Sequence, residues 1–162
     1  ASTQLCMELL EKRVQADDRI LDLGCGSGVL FLAAQLLGAG EAVAVDVDAK
    51  ARTIVPEHAL LNGISPDRYR VVVGDAVNDP AVALEIGSAP FDIVAANIVA
   101  DVILPLTPSV PCWIRPGGTY LVSGIIGERE PEITSALTRA GFRVEETLRR
   151  DDWVAIASVY RP

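Results

Sequence analysis

The sequence predicts an α/β fold: a seven-stranded, mostly parallel sheet with helices on both faces and an antiparallel hairpin at its carboxyl end. Three observations predict it. Short apolar runs alternate with helix-period segments five times along the chain, a pattern that closes through right-handed crossovers into a parallel sheet. The last two apolar runs have no helix between them, so they pair antiparallel at one edge. Polar residues close four consecutive strands, Asp22, Asp46, Asp75 and Asn97, at the sheet end where ligands bind in such folds.

Each element has a local reason. Leu5, Cys6, Leu9, Leu10 and Arg13 fall at helical spacing and predict a short amphipathic helix. Arg19–Leu23 is the first strand and leads into a glycine cluster. An apolar helix over 29–37 follows, stopped by Gly38 and Gly40. Ala42–Val45 is the second strand, and residues 49–61 form a helix stopped by Asn62-Gly63. Residues 70–73 make the third strand, 81–86 a short helix and 91–96 the fourth strand. A helix begins near Asp101, but Pro105, Pro108 and Pro111 preclude one unbroken helix. Pro116-Gly117-Gly118 turns into the fifth strand, 119–125. A helix over 128–140 stops at Gly141, and strands over 143–148 and 153–160 finish the chain.

The 162 residues make one ordinary domain. A hydrophobic content of 50% with 22% charged residues excludes an intrinsically disordered chain. No apolar run reaches the ~18 residues of a membrane span. Fourteen Lys and Arg stand against 22 Asp and Glu, a net charge of -8. That balance argues against direct nucleic-acid binding, which needs a basic footprint, and favours a cationic partner. Cys6, Cys25 and Cys112 are odd in number and lack metal-ligand spacing, so no metal site is expected and a reduced, cytoplasmic setting is.

The strongest motif is Asp22-Leu23-Gly24-Cys25-Gly26-Ser27-Gly28 after the first strand. Glycines let the chain turn tightly and a ligand approach the backbone. Gly24, Gly26 and Gly28 are spaced two and two, unlike the G-x-G-x-x-G of pyrophosphate loops. NAD is therefore not the expected cofactor. Asp46, at the end of strand two, suits the ribose hydroxyls of an adenosine cofactor. Asp75 can accept from an adenine amino group and Ala76 can offer its N–H. Asp22 orients the loop, receives a cofactor amino group or caps the next helix. His58, in the middle of a helix, reads as structural. Cys25 has no adjacent base and reads as a small space-filler, and Trp113 and Trp153 read as packing anchors.

These residues resemble the Rossmann-like class I S-adenosylmethionine-dependent methyltransferases. Within them, Thr3-Gln4-Leu5-Cys6, the glycine loop, Val45-Asp46-Val47-Asp48 and Asn97-Ile98-Val99-Ala100 are similar in order and spacing to the ribosomal protein L-eleven methyltransferases (PrmA type). Leu121-Val122-Ser123-Gly124-Ile125, and Gly141-Phe142 near Trp153-Val154-Ala155, add to the likeness.

The resemblance implies S-adenosyl-L-methionine as cofactor, contacted by Thr3, Gly24, Asp46 and Asn97. It implies N-methylation of lysine or α-amino groups, with a ribosomal protein as substrate. Thr3, by its position alone, is a helix cap. Asn97 is the candidate catalytic residue, its carbonyl placed to accept from an amine, or else a ligand of the cofactor's methionine end. The family's amino-terminal recognition domain and the glycine-rich stretch before Thr3 have no counterpart here, so residues 1–162 are expected to be the catalytic domain of a longer protein. A small-molecule methyltransferase and a non-catalytic cofactor-binding module remain the alternatives. The sequence leaves the oligomeric state open.

Overall fold

The computed structural model describes residues 1–88 and 90–162. The strands form one seven-stranded sheet in the order β3-β2-β1-β4-β5-β7-β6. β1 (Ile20–Leu23), β2 (Ala42–Asp46), β3 (Tyr69–Val73), β4 (Phe91–Asn97) and β5 (Ile114–Ile126) are parallel. β7 (Trp153–Tyr160) runs antiparallel to both β5 and β6 (Phe142–Arg150). The hairpin thus inserts its second strand beside β5 and leaves β6 at the edge.

Both faces of the sheet are covered, and residues along the central strands alternate between two cores. Val94 and Ala96 of β4 face α4 (Pro80–Ile86), α5 (Ala100–Leu106) and α6 (Glu130–Arg139). Ile93 and Ala95 face α1 (Ser2–Arg13), α2 (Val29–Leu36) and α3 (Ala51–Leu61). The predicted amphipathic α1 buries Leu5, Cys6, Leu9 and Leu10. α2 stops where Gly38 takes φ 112°. Its N–H bonds Gln35 O at 3.1 Å, and the next N–H, of Ala39, bonds Ala34 O at 3.0 Å. That left-handed stop favours glycine.

Three boundaries differ from expectation or confirm it for a local reason. α3 begins at Ala51 rather than residue 49, because Asp48 Oδ1 accepts the Lys50 N–H at 2.9 Å and holds residues 49–50 in a turn. β5 begins at Ile114 rather than Thr119. Ile114 pairs with Phe91, the register shifts, and Thr119 then pairs with Ile93, so Pro116-Gly117-Gly118 lies in an irregularity inside the strand. Gly118 is required there, since a Cβ would lie 2.9 Å from Arg115 O and 3.1 Å from Asp92 O. The proline-rich stretch divides as predicted, α5 stopping at Leu106 and Thr107–Cys112 forming a 3₁₀ turn.

No helix among the described residues is long and apolar enough to cross a membrane. Cys6 and Cys25 are buried, Cys112 is exposed, and all three are free thiols.

Candidate active site

β1 and β4 are neighbours at the centre of the sheet, and the chain leaves them toward opposite faces. A crevice opens at such a switch point, outside the carboxyl ends of the strands. The backbone leaves β1 and turns through Gly24 (φ 72°), Gly26 (φ 54°) and Gly28 (φ 88°). Left-handed backbone costs an L side chain about 1–2 kcal/mol, yet the three glycines serve different ends. A Cβ on Gly24 would lie 2.4 Å from Ile98 Cγ2, so Ile98 roofs that residue. A Cβ on Gly26 would meet nothing within 4 Å, so this is the open floor of the loop. Gly28 is buried, and a Cβ there would lie 2.7 Å from the Phe31 ring, so it turns the chain into α2.

Asp22 is fully buried beneath the loop. Its Oδ2 accepts the Phe31 N–H of the first turn of α2 at 3.3 Å, tying that turn to the end of β1, while the N-cap position is Gly28. Its Oδ1 has no partner among the described residues, which suits it to a donor brought by a ligand. Burial pushes its carboxyl up to about 7; the Phe31 N–H opposes this, and the charge of Asp46 adds to it.

Asp46 Oδ2 accepts the Gly26 N–H at 2.8 Å, and Oδ1 accepts the Asp48 N–H at 2.9 Å. The carboxylate therefore ties the glycine loop to the end of β2. It is half-buried and keeps further acceptor capacity. Asp75 is engaged in its own turn. Its Oδ1 accepts from Val77 N at 2.9 Å and Asn78 N at 3.1 Å, and Oδ2 accepts from Asn78 Nδ2 at 2.8 Å. The Asn78 side chain and these N–H groups hold its carboxyl below the usual range.

Asn97, the last residue of β4, donates from Nδ2 to Thr3 Oγ1 at 3.0 Å. That bond orients the amide and leaves Oδ1 as an acceptor. Thr3 lies inside the first turn of α1, whose N-cap is Ala1; its hydroxyl braces Asn97 instead of capping the helix. Ser123 strengthens this brace by donating from Oγ to Ser2 O at 2.8 Å.

A cavity of about 60 Å³ lies between the tips of β1–β4 and α5. Gly24, Asp46, Asp75 and Ala76 line it, together with the apolar side chains of Leu23, Val45, Ile98 and Val102. The structure thus brings four of the predicted residues to one cavity and joins Gly26 to them through Asp46. Thr3 and Asn97 form a second group, and Asp22 and Gly28 lie beneath the loop. Ile98 and Val102 had no role predicted from the sequence. Ile98 stands in a stretch that carries the family likeness, while Val102 showed only apolar character in a helix start.

The structural readings of the other residues hold. Burial, then the charges of Asp22 and Asp46, push the Cys25 thiol far up, and burial pushes Cys6 up to about 12, so both stay protonated. Trp113 is buried in one core and Trp153 packs against the other. A separate cavity of about 170 Å³ lies at the amino ends of the strands, far from these groups. Its arginines tie loops together: Arg19 to Pro90 O, Arg68 to Ala39 O and Arg70 to Ile86 O.

Comparison with known proteins places this arrangement. The chain is 36% identical over 160 residues to the ribosomal protein L11 methyltransferase of Agathobacter rectalis, covering 97% of this chain and 50% of that protein. It is 40% identical over 159 residues to the one of Symbiobacterium thermophilum, covering 98% and 49%. The chain therefore spans about half the length of the curated relatives it matches. The crystal structure of ribosomal protein L11 methylase from Lactobacillus delbrueckii subsp. bulgaricus superposes with a TM-score of 0.88 at 29% identity, covering 99% of this chain and 79% of that one. The family model for ribosomal protein L11 methyltransferase (PrmA) matches residues 1–161, and the chain belongs to that family.

Proposed function

We propose that this domain transfers a methyl group from S-adenosylmethionine to an amino group of a protein, with a ribosomal protein of the L11 type as the acceptor. The residues fit that cofactor. The 60 Å³ cavity has apolar walls for a flat heteroaromatic ring and the Asp46 carboxylate at its edge for ribose hydroxyls. Gly26 leaves open space above the backbone, and Asp22 Oδ1 is a buried acceptor for an ammonium group. When bound, the cofactor supplies a methyl group already activated on a sulfonium.

What remains for the protein is alignment and protonation. Aligning two reactants contributes roughly 7–11 kcal/mol. A lysine is neutral about one time in a thousand at pH 7.4, equivalent to about 4 kcal/mol, so the site must favour the neutral amine. Asn97 is suited to the alignment. With Nδ2 given to Thr3, its Oδ1 accepts an amine N–H and aims the nitrogen lone pair. The fixed orientation of Asn97 at the carboxyl end of β4 is the observation that carries this assignment. Recognition of the acceptor protein is proposed to lie outside these 162 residues, which span about half the length of the matched relatives.

Titration calorimetry with S-adenosylmethionine and NAD tests the cofactor, the former binding and the latter not. Radiolabelled methyl transfer to L11 and to a panel of small amines tests the acceptor. Asn97→Ala should lower turnover at saturating cofactor by tenfold or more, with a smaller change in cofactor affinity. A loss confined to affinity would place Asn97 in the cofactor pocket alone.

A further inference from the structure

Beyond the residues that face the crevice, β5 carries a device aimed at Asn97. The β5–β7 ladder pairs Val122 with Ile156, then resumes with Ile125 opposite Val154. Two residues of β5, Ser123 and Gly124, therefore face the single Ala155 of β7, which defines a β-bulge. On the other side of β5, Ser123 still pairs with Asn97, and Ser123 O accepts the Ile98 N–H at 3.2 Å. The bulge thus lies where β4 ends and the Asn97-Ile98 turn begins. Gly124 takes φ 81° in it, and a Cβ there would lie 2.9 Å from Ile98 O, 3.2 Å from Ile98 C and 3.3 Å from Asn97 Oδ1. The closest two of these atoms are backbone, so no rotamer change relieves the contact.

We propose that Gly124 is a positioning residue of the active site: the bare backbone of the β5 bulge sets the Asn97-Ile98 turn and keeps Asn97 Oδ1 uncovered for the acceptor. The turn is seated between two glycines. Ile98 Cγ2 rests over Gly24, and the Ile98 carbonyl rests over Gly124. A side chain at either place moves Ile98, and with it the amide that precedes it. The catalytic consequence rests on the role proposed for Asn97; the positioning of the turn does not.

Gly124→Ala tests this against Gly63→Ala. Gly63 is also left-handed, at φ 71°, but nothing lies within 4 Å of its Cβ position. It stands at the end of α3, away from the site, so it reports backbone strain without crowding. In the free protein, the ¹⁵N-resolved side-chain amide signals of Asn97 should shift and exchange faster in Gly124→Ala and stay in place in Gly63→Ala. At saturating cofactor, which removes any change in affinity brought by the displaced Ile98, kcat should fall at least tenfold in Gly124→Ala alone. Gly124→Asn, which tolerates left-handed backbone but still carries a Cβ, should behave the same way and serves if the alanine variant does not fold. A folded Gly124 variant with unmoved Asn97 amide signals overturns the proposal. Moved signals with undiminished kcat overturn its catalytic half. The amide readout needs neither cofactor nor acceptor, so failure of the methyltransferase assignment would show separately, as a parent protein that does not bind S-adenosylmethionine.

Discussion

Asp22 is a buried carboxyl whose charge changes near neutral pH. Its folded carboxyl titrates at about 7, against an ordinary value of 3.8, mainly because it is buried. The folded chain therefore holds more protons than the unfolded chain between these values. The resulting stability is complete below the unfolded value and is lost as pH rises through the folded one. The slope in that window is up to about 1.4 kcal/mol per pH unit. Asp22→Asn should flatten the fall between about pH 4 and 7, and urea unfolding of both proteins at pH 5 and 8 checks this. Asp46 stands on the open side of the same loop. Asp46→Ala should weaken S-adenosylmethionine binding by about 1.5–3 kcal/mol, the range for a hydrogen bond to a charged group, as calorimetry would measure. Asp22, Asp46 and the three glycines were legible because their spacing follows from one turn between two strands. Ile98 and Gly124 stand in stretches that carry the family likeness, but their roles were not legible. They matter through contacts across 74 and 26 positions, respectively, and a sequence pattern carries no such distances.

Among the elements, α1 braces the site through Thr3. Its Leu9 is wholly buried against the sheet, while Lys12 pairs with Glu146 at 2.5 Å on the exposed side. Burial dominates, because an exposed ion pair contributes only about 0–1 kcal/mol. Leu9→Ala should cost about 2–5 kcal/mol, and Lys12→Ala less than about 1 kcal/mol, both read from urea denaturation midpoints. The helix itself was legible from its apolar spacing. The start of β5 was not, because Pro116-Gly117-Gly118 has the composition of a turn, and only the neighbouring β4 shows that the strand resumes pairing on both sides of it.

At the scale of the whole molecule, the parallel sheet was readable from alternation and the insertion of β7 between β5 and β6 was not. An antiparallel hairpin satisfies its own hydrogen bonds whichever of its strands faces inward. The net charge of -8 also acts at this scale. It favours encounter with a basic acceptor and repels anionic chains, and salt screens it with a Debye length of about 8 Å at physiological ionic strength. Raising salt from about 0.05 to 0.5 M should therefore raise KM for a basic acceptor several-fold, with kcat nearly constant, as steady-state assays would report. A KM independent of salt would remove charge from recognition.

The leading turn of α1 is moored at two points, Thr3 to Asn97 and Ser2 to Ser123. A displacement of residue 3 is thus delivered to Asn97 through one hydrogen bond, and one of residue 2 to Ser123 through another. Whatever moves the first turn of α1 has its hand on the tip of β4.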